Sequence, residues 1–250
     1  MQTLADLVAA ARDREGALFA ASDRSADYSY RDACTNVWKA GNLFRHYGVR
    51  EGTRVAVVAG PKEPGDSAET GWLGTSPDPL LAALGATLDG AVVDLDPPGV
   101  VDATVLVAPA AWLDRYQRGG GTSTVAYGGP PDDPAVAHFE REAWSENPRA
   151  PPVDIAPTDD ALAADSVYTH GDLLAASRRV VAEYDLAETD EVALRAPVTE
   201  PGALVAGLLA PMRVGATVLL GGTTEGTVAV AGDDAGGSEE TVIRPDEAAP

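Results

Sequence analysis

Residues 159–174 read DDALAADSVYTHGDLL, and the fold assignment depends on the short connection in the middle of this stretch. Six residues, Ala163 to Tyr168, separate Leu162 from Thr169, and they include neither glycine nor lysine. A loop that wraps phosphates needs glycine for close backbone approach, successive N–H donors and a cation. The stretch therefore contains no phosphate loop. Thr169 is well placed to cap the Leu-rich helix that follows it.

Outside this stretch, helical patterns alternate with short apolar strands. Residues 31–47 carry apolar side chains at helical spacing. Residues 54–59, 91–95, 104–108 and 191–196 are rich in Val, Leu and Ala and are apolar on both faces. Strands of that kind lie in parallel sheets covered by helices. The sequence therefore predicts an α/β fold.

One pattern occurs twice along the chain, in the order helix, turn, strand, helix, Gly-Ala, strand. The matched positions, 137 or 125 places apart, are Val49 with Leu186, Glu51 with Glu188, Val55 with Val192 and Gly90 with Gly215. A repeat of this length predicts two stacked α/β subdomains with mainly parallel sheets covered by helices. Chance similarity between ordinary strand–helix units is the alternative.

Composition shifts indicate where the subdomains divide. The expected divisions are a first α/β subdomain at 1–127, a linker at 128–157 and a second α/β subdomain at 158–250. Seven prolines in the middle segment predict an extended linker. Strands at 226–231 and 240–244 would form an acidic hairpin around 233–237, closing the edge of the second subdomain.

The charge balance is strongly acidic. The chain has 39 acidic and 18 basic residues, a net charge of −21, and only Lys39 and Lys62 are lysines. High salt screens the self-repulsion of such a surface, so this composition predicts a halophilic protein. An acidic protein of an ordinary cytoplasm is the alternative. A nucleic-acid partner is not expected, because phosphate binding needs clustered Lys and Arg.

Several classes of site and location are not favoured by the sequence. The three histidines, His46, His138 and His170, have no ligand-spaced partner, so no metal site is expected. No Gly-x-Ser-x-Gly element occurs, and we expect no catalytic residue. No apolar run approaches the 18 or so residues of a membrane span, and the N-terminus carries an acid, unlike a secretory signal. The expected location is the cytoplasm.

Four blocks together carry a resemblance to a known superfamily. They are Tyr28–Val57, Leu80–Pro97, Asp159–Leu174 and Pro197–Gly222. In this order and spacing the chain resembles the adenylate-forming superfamily of acyl-CoA synthetases, adenylation domains and luciferases. In that superfamily a Gly/Ser/Thr-rich phosphate loop lies between the Asp-Asp-x-Ala strand and the Thr-His pair. Here both flanks are present without the loop.

The resemblance implies a set of candidate ligand-binding positions and also puts their function in doubt. By resemblance alone, the ligand-binding positions are Tyr168, Thr169, His170, Pro197, Glu200 and Gly202. Glu200 stands where the superfamily commonly has His. The sequence ends before the superfamily's Tyr-Gly-x-Thr-Glu segment and its Lys-bearing C-terminal domain. We therefore expect no cofactor, and ATP with Mg²⁺ only if another chain supplies the missing parts.

Three functional hypotheses follow. The first is a degenerate AMP-binding, acyl-CoA synthetase-like domain, non-catalytic, that acts as a binding or partner protein. The second is an AMP-dependent acyl-activating ligase or a subunit of one, completed by another chain. The third is a decayed gene whose product still folds. Possible partners are a second copy of the chain or a complete acyl-CoA synthetase.

The segment 201–214 bears on the partner question, because it is apolar almost all round. A helix of this kind is not stable in contact with solvent. It either packs between the two subdomains or forms a homodimer or partner interface. We expect the first arrangement.

Overall fold

The fold is described by a computed structural model over residues 1–21, 27–65, 67–222, 225–232 and 238–250. Within these ranges the strands form a seven-stranded sheet, called here the first sheet, a six-stranded second sheet and a two-stranded ribbon. The strands are β1 (Ala17–Ala21), β2 (Tyr28–Ser29), β3 (Arg54–Val57), β4 (Val92–Asp94), β5 (Val100–Val101), β6 (Val105–Pro109), β7 (Gln117–Arg118), β8 (Ser123–Tyr127), β9 (Ala137–His138), β10 (Asp160–Ala163), β11 (Val167–Thr169), β12 (Glu191–Arg195), β13 (Thr217–Leu220), β14 (Val228–Ala231) and β15 (Thr241–Ile243).

The helices begin where the sequence provides caps. They are α1 (Leu4–Ala11), α2 (Tyr30–His46), α3 (Asp78–Thr87), α4 (Phe139–Ser145), α5 (His170–Glu183), α6 (Pro201–Leu204) and α7 (Ala210–Val214). Thr3 caps α1 in a capping box with Asp6, and the Ser29 hydroxyl accepts the N–H of Asp32 at 3.0 Å at the start of α2. These side chains satisfy N–H groups that have no partner within the helix. A 3₁₀ turn spans Ala110–Arg115.

The two sheets are built to the same plan. The first has the strand order β11-β10-β4-β3-β6-β8-β9, and the second β15-β14-β12-β13-β1-β2. In the first, β3 pairs in parallel with β4 and β6; in the second, β12 pairs in parallel with β13 and β14. The expected internal repeat and the α/β fold with mainly parallel sheets are therefore confirmed.

An exchange of hairpins links the two sheets. The antiparallel hairpin β1–β2 precedes the first sheet along the chain but pairs with β13 of the second sheet. The hairpin β10–β11 lies nearer the second sheet in sequence but pairs with β4 of the first. Each sheet therefore ends in a hairpin from the other part of the chain, and the sheets do not follow the expected divisions 1–127 and 158–250.

The core lies between the sheets. Val55 and Val57 of β3 belong to the same buried cluster as Val192 and Leu194 of β12, together with residues of α1, α2, α3 and α5. The helices α2 and α3 approach closely at glycine: a Cβ on Gly85 would lie 2.6 Å from the Ala40 Cβ. Small residues at this crossing let the helix layer fit between the sheets.

Two expectations about irregular segments are corrected. Residues 137–145 inside the expected 128–157 linker form β9, which pairs with β8, and α4, whose Phe139 is buried and stacks on Phe44. The strands β14 and β15 are parallel neighbours and not a hairpin. Residues 233–237, where the hairpin turn was expected, lie outside the described residues.

Residues 201–214 pack inside the molecule, as expected. A π-helical turn, Val205–Leu209, joins α6 to α7, and Pro211 follows it in the first turn of α7. Leu208 is 0% exposed, and a Cβ on Gly207 would lie 2.5 Å from the Leu194 side chain of β12. The apolar surface of this segment is therefore covered by the chain itself.

Candidate functional site

The hairpin turn between β10 and β11 occupies the place of the missing loop. Its three residues are Ala164, Asp165 and Ser166, and the Ala164 N–H donates to the Ser166 carbonyl at 2.8 Å. Asp165 accepts the Ser166 N–H at 3.0 Å and the Tyr168 hydroxyl at 2.9 Å, and this hydrogen bond raises the pKa of Tyr168. The turn therefore uses the N–H groups of Ala164 and Ser166 internally and presents a carboxylate. That arrangement opposes the binding of a phosphate.

The next two candidate residues have structural partners. Thr169 forms a full capping box with Asp172, whose N–H it accepts at 3.1 Å and to which its own N–H donates at 3.0 Å. His170 is 0% exposed, and its Nδ1 accepts the Leu4 N–H at 3.2 Å. Burial lowers the pKa of His170 to about 4. His170 is therefore a neutral core histidine that anchors the first turn of α1.

The loop after β12, which contains the candidates Pro197 and Glu200, lies against the loop after β3. The Val198 N–H donates to the Gly71 carbonyl at 2.9 Å, and the Gly71 N–H donates to the Ala59 carbonyl at 2.7 Å. A Cβ on Gly71, which has φ +92°, would lie 2.9 Å from the Pro197 Cβ. Backbone hydrogen bonds thus join the carboxyl ends of the central strands of both sheets, and Pro197 lies in this junction.

Glu200 and Gly202 lie at the start of α6 in different environments. Glu200 is exposed and precedes the helix without a side-chain cap. A Cβ on Gly202 would lie only 1.7 Å from the Pro245 carbonyl oxygen. Gly202 therefore allows the C-terminal segment to pack on the helix. Of the six candidates, Tyr168 and Thr169 lie at the exchanged hairpin, while Pro197 and Glu200 lie at the inter-sheet junction.

Parallel α/β sheets usually bind ligands where the strand order reverses, at the carboxyl ends of the strands. In the second sheet this point lies between β12 and β14, and an ion pair fills it. Arg195 donates two hydrogen bonds to Glu239, at 2.9 and 2.6 Å, and both side chains are buried. Glu239 also accepts the Gly226 N–H at 3.1 Å. The hydrogen bond from Arg195 lowers the pKa of Glu239 to about 2.

The corresponding point of the first sheet, between β3 and β6, is filled by aromatic side chains. A Cβ on Gly60 would lie 2.7 Å from the Trp112 ring, which is 1% exposed. The Tyr127 hydroxyl donates to the Val58 carbonyl at 2.8 Å. Both of the usual ligand positions are therefore occupied by the chain's own residues.

A charged cluster beside this point was not expected from the sequence. Lys62 lies 2.9 Å from Asp78 and 3.4 Å from Glu140, and Glu140 lies 3.1 Å from the His138 Nε2, in a pocket of about 610 Å³. Burial opposes the charge of Lys62, but the two carboxylates outweigh it and raise its pKa. Because carboxylates already neutralise it, Lys62 is poorly suited to hold a phosphate. The only sequence signal for this cluster was the rarity of lysine, since the chain has two lysines and sixteen arginines.

The described residues contain neither a metal-binding cluster nor a membrane-spanning helix. No group of three or more His, Cys, Asp or Glu side chains within the described ranges is arranged to hold a metal ion. Among the described helices, none combines the length and apolar character needed to cross a bilayer.

Comparison with known proteins gives a likeness of fold only. No protein-family profile matches the sequence, and no curated protein matches it. An anthranilate CoA ligase, AuaEII, in complex with anthranoyl-AMP is similar at a TM-score of 0.71 and 14% identity, over 91% of this chain and 49% of that one. A benzoate CoA ligase from Burkholderia xenovorans LB400 is similar at 0.67 and 18%, over 92% and 50%.

The N-terminal domain of FACL13 from Mycobacterium tuberculosis is similar at a TM-score of 0.63 and 16% identity, over 88% of this chain and 57% of that one. The chain thus spans about half the length of each of these three solved structures. The chain has the fold of the N-terminal part of the adenylate-forming acyl-CoA ligases.

Proposed function

We propose that the protein is a non-catalytic relative of the adenylate-forming ligases that acts as a binding or partner protein. The observation that carries this proposal is the three-residue turn between β10 and β11, which has no glycine, no lysine and a carboxylate at Asp165. The two points where the strand order reverses, called here the switch points, are filled by Trp112 and by the Arg195–Glu239 pair, and this supports the proposal. A ligand at either point would have to displace buried side chains.

Nucleotide titration is the direct test. We expect ATP with Mg²⁺ not to bind at physiological concentrations, since the turn offers neither an N–H cradle nor a cation. The measurement is calorimetry in multimolar KCl, with AMP, CoA and medium-chain acids titrated in parallel. A dissociation constant below about 1 mM, near −4 kcal/mol, would contradict the proposal. A salt-tolerant complete acyl-CoA ligase in the same buffer is the positive control.

A second candidate function is a subunit of an acyl-activating ligase. The share of the known ligases that the chain spans, 49% and 50%, favours it. Another chain would then supply the phosphate loop and the Lys-bearing domain. ATP–pyrophosphate exchange distinguishes the two candidates. The subunit hypothesis requires exchange by the complex that neither chain shows alone, and the non-catalytic hypothesis requires that this chain adds no exchange activity to that of its partner.

We also propose a cytoplasmic, high-salt setting, on the basis of the net charge of −21 and the near absence of lysine. Carboxylates repel over Debye lengths of about 10 Å or more at low salt and much less in multimolar KCl. Circular dichroism along a dialysis series measures this. The unfolding temperature should fall as salt is removed, and a flat or rising one would argue for an ordinary acidic protein.

A further inference from the structure

An open groove lies at the amino ends of the strands of the first sheet, and the switch point lies at their carboxyl ends. It has a volume of about 850 Å³ and is lined by the turn 48–52, by Arg45 and Asp89, and by residues 152–154. We call it the Asp89 groove. None of the six positions suggested by the resemblance lines it.

Asp89 is the unusual group in this groove. Its side chain is 1% exposed, and neither carboxylate oxygen accepts a hydrogen bond from the described residues. The nearest cation, the Arg45 guanidinium, lies 3.9 Å from Asp89 Oδ1 and is itself 40% exposed. A buried carboxylate without hydrogen-bond donors is costly, because burial removes its hydration without replacement. The groove therefore has a buried acceptor that lacks a donor.

The internal repeat shows how the equivalent position is filled in the second sheet. A Cβ on Gly90 would lie 3.0 Å from the Glu51 Cα; on the equivalent Gly215 it would lie 3.3 Å from the Glu188 Cγ. After each glycine, the next N–H donates to the carbonyl five residues back, from Ala91 to Ala86 and from Ala216 to Pro211. The two turns thus share this hydrogen bond and a glycine with positive φ.

In the second sheet a guanidinium occupies this position. Arg14 donates from Nη1 to the Val214 carbonyl at 3.0 Å and from Nη2 to the Arg213 carbonyl. Its Nη1 would lie 3.0 Å from a Cβ on Gly215. Arg14 stands three residues before β1, and the residue three positions before β10 is Pro157. In the first sheet, therefore, a proline, which carries no positive charge, takes the place of the arginine.

The charges of the Asp89 groove are consistent with a missing cation. Asp89, Glu51 and Asp154 contribute three carboxylates against the guanidiniums of Arg45 and Arg50. We propose that the Asp89 groove binds a guanidinium or primary ammonium group, which donates hydrogen bonds to Asp89 as Arg14 donates to the equivalent turn. The cation comes either from a small molecule or from a side chain of another protein. This inference is independent of nucleotide binding and of the proposed function.

Titration with methylguanidinium chloride tests the site. Calorimetry is done with the full chain at constant total chloride, well below denaturing guanidinium concentrations. We expect binding that weakens at least tenfold in Asp89→Asn and is unchanged in Asp114→Asn, an exposed acid far from the groove in sequence. Tetramethylammonium, which has no N–H donor, should not bind. Absence of methylguanidinium binding, or equal binding by Asp89→Asn, would overturn the proposal.

A second variant tests the site without removing Asp89. Asp154→Arg places an arginine in the wall of the groove, and we expect it to occupy the groove and abolish methylguanidinium binding. Asp154→Asn is the matched control and should retain binding within about threefold. Undiminished binding by Asp154→Arg, with the fold intact by circular dichroism, would show that the groove is not the cation site and overturn the proposal.

Proton release provides an independent readout. Burial raises the pKa of Asp89 to about 7, opposed by Arg45. A bound cation stabilises the ionised form, so binding near pH 7 should release a proton and give a heat that depends on the buffer's ionisation enthalpy. Arg50, Glu51 and Asp154 also face the groove. Asp89→Asn should lose the buffer dependence, and a buffer-independent heat for the wild type would contradict a role for Asp89.

A pair of peptides distinguishes the two sources of the cation. The probes are acetyl-Gly-Arg-Gly-amide and the uncharged citrulline analogue. Tighter binding of the arginine peptide than of methylguanidinium indicates a protein side chain, and weaker binding indicates a small molecule. In both cases the citrulline peptide should bind at least tenfold more weakly than the arginine peptide. Equal binding of the two peptides would overturn the proposal.

Discussion

The amino-end turns at Gly90 and Gly215 share a positive-φ glycine and one backbone hydrogen bond but have opposite side-chain chemistry. At Gly215 the Arg14 guanidinium bonds two carbonyl groups and fills the space beside the turn. At Gly90 the space is an open groove, and Asp89 in its wall accepts no hydrogen bond from the described residues. The repeat therefore reproduces the strand pairing and the glycine conformation. The side chains that cover the turn differ between the two copies.

The helices that follow the exchanged hairpins give a second comparison. Tyr30 and His170 are the first residues of α2 and α5, and both are 0% exposed. The Tyr30 hydroxyl is 3.1 Å from the Pro211 carbonyl and 2.7 Å from the Ala216 carbonyl. His170 receives one hydrogen bond, and its Nε2 has no partner among the described residues. One position is therefore independent of pH near neutrality, and the other is sensitive to acid.

The largest effect is expected at the two filled switch points. Glu239→Gln removes the carboxylate that accepts two hydrogen bonds from the buried Arg195 guanidinium, and we expect it to lower the free energy of unfolding by about 3–5 kcal/mol. Trp112→Ala in the first sheet should cost a similar amount, about 3–5 kcal/mol, by opening a cavity. Urea unfolding in high salt measures both.

The pH dependence distinguishes the two switch points. The pKa of Glu239 is lowered to about 2 from an ordinary value of 4.5. The ion pair therefore contributes fully above pH 4.5, and its contribution is lost as pH falls toward 2. The cost of Trp112→Ala should not change over this range. The control is the double variant Arg195→Met with Glu239→Met, which should recover much of the loss. A cost below about 0.5 kcal/mol for Glu239→Gln would argue against the buried pair.

The next effect is the acid sensitivity of His170. Its pKa is lowered to about 4 from 6.5, so the unfolded chain binds the proton first and stability is lost as pH falls from 6.5 toward 4. At about 1.4 kcal/mol per pKa unit, the loss should reach roughly 3 kcal/mol. Thermal unfolding between pH 7 and 4 should show less of this loss in His170→Gln. The matched control His46→Gln changes a 69% exposed side chain and should behave as the wild type.

Arg14→Ala should have an intermediate effect, about 2 kcal/mol, because it removes charged hydrogen bonds to two carbonyls. The substitution converts the Gly215 turn into an open site like that at Gly90. Millimolar methylguanidinium should then restore part of the lost unfolding temperature. Arg31→Ala, at an exposed position of α2, is the control and should change stability by less than about 0.5 kcal/mol. A loss of that small size in Arg14→Ala would mean that Arg14 does not fill the turn.

The smallest effect is expected at the caps of α2 and α5. Thr169→Ala should cost about 1 kcal/mol, since it removes a full capping box with Asp172. Ser29→Ala should cost somewhat less, because Asp32 donates its N–H to Ser29 without the return bond of a capping box. Urea unfolding of both variants measures the difference. If neither differs from the wild type, the helix starts are held by packing alone.

Local features of the chain could be predicted from the sequence. Thr169 as a cap, the helix near residues 31–47 and the strand near 54–59 are set by spacing within a few residues. The sequence also predicts that a phosphate loop is absent at the turn Ala164–Ser166, because neither glycine nor lysine occurs there. The resemblance of the sequence to the adenylate-forming superfamily predicts the fold that the solved structures show. The strand order of the two sheets confirms the predicted repeat.

Features that depend on distant partners were decided only by the tertiary structure. An alternating or apolar strand pattern does not say which sheet a strand joins, so the exchange of β1–β2 with β10–β11 was not predicted. Proline content did not reveal that residues 137–145 dock on β8 and α2, and nothing local indicated that β14 and β15 run parallel. Asp89 is one of 39 acids in the sequence, and its burial depends on α2 and the 48–52 turn folding around it. Sequence spacing determines which local elements form, whereas the energy of a buried charge depends on neighbours that only the assembled fold brings together.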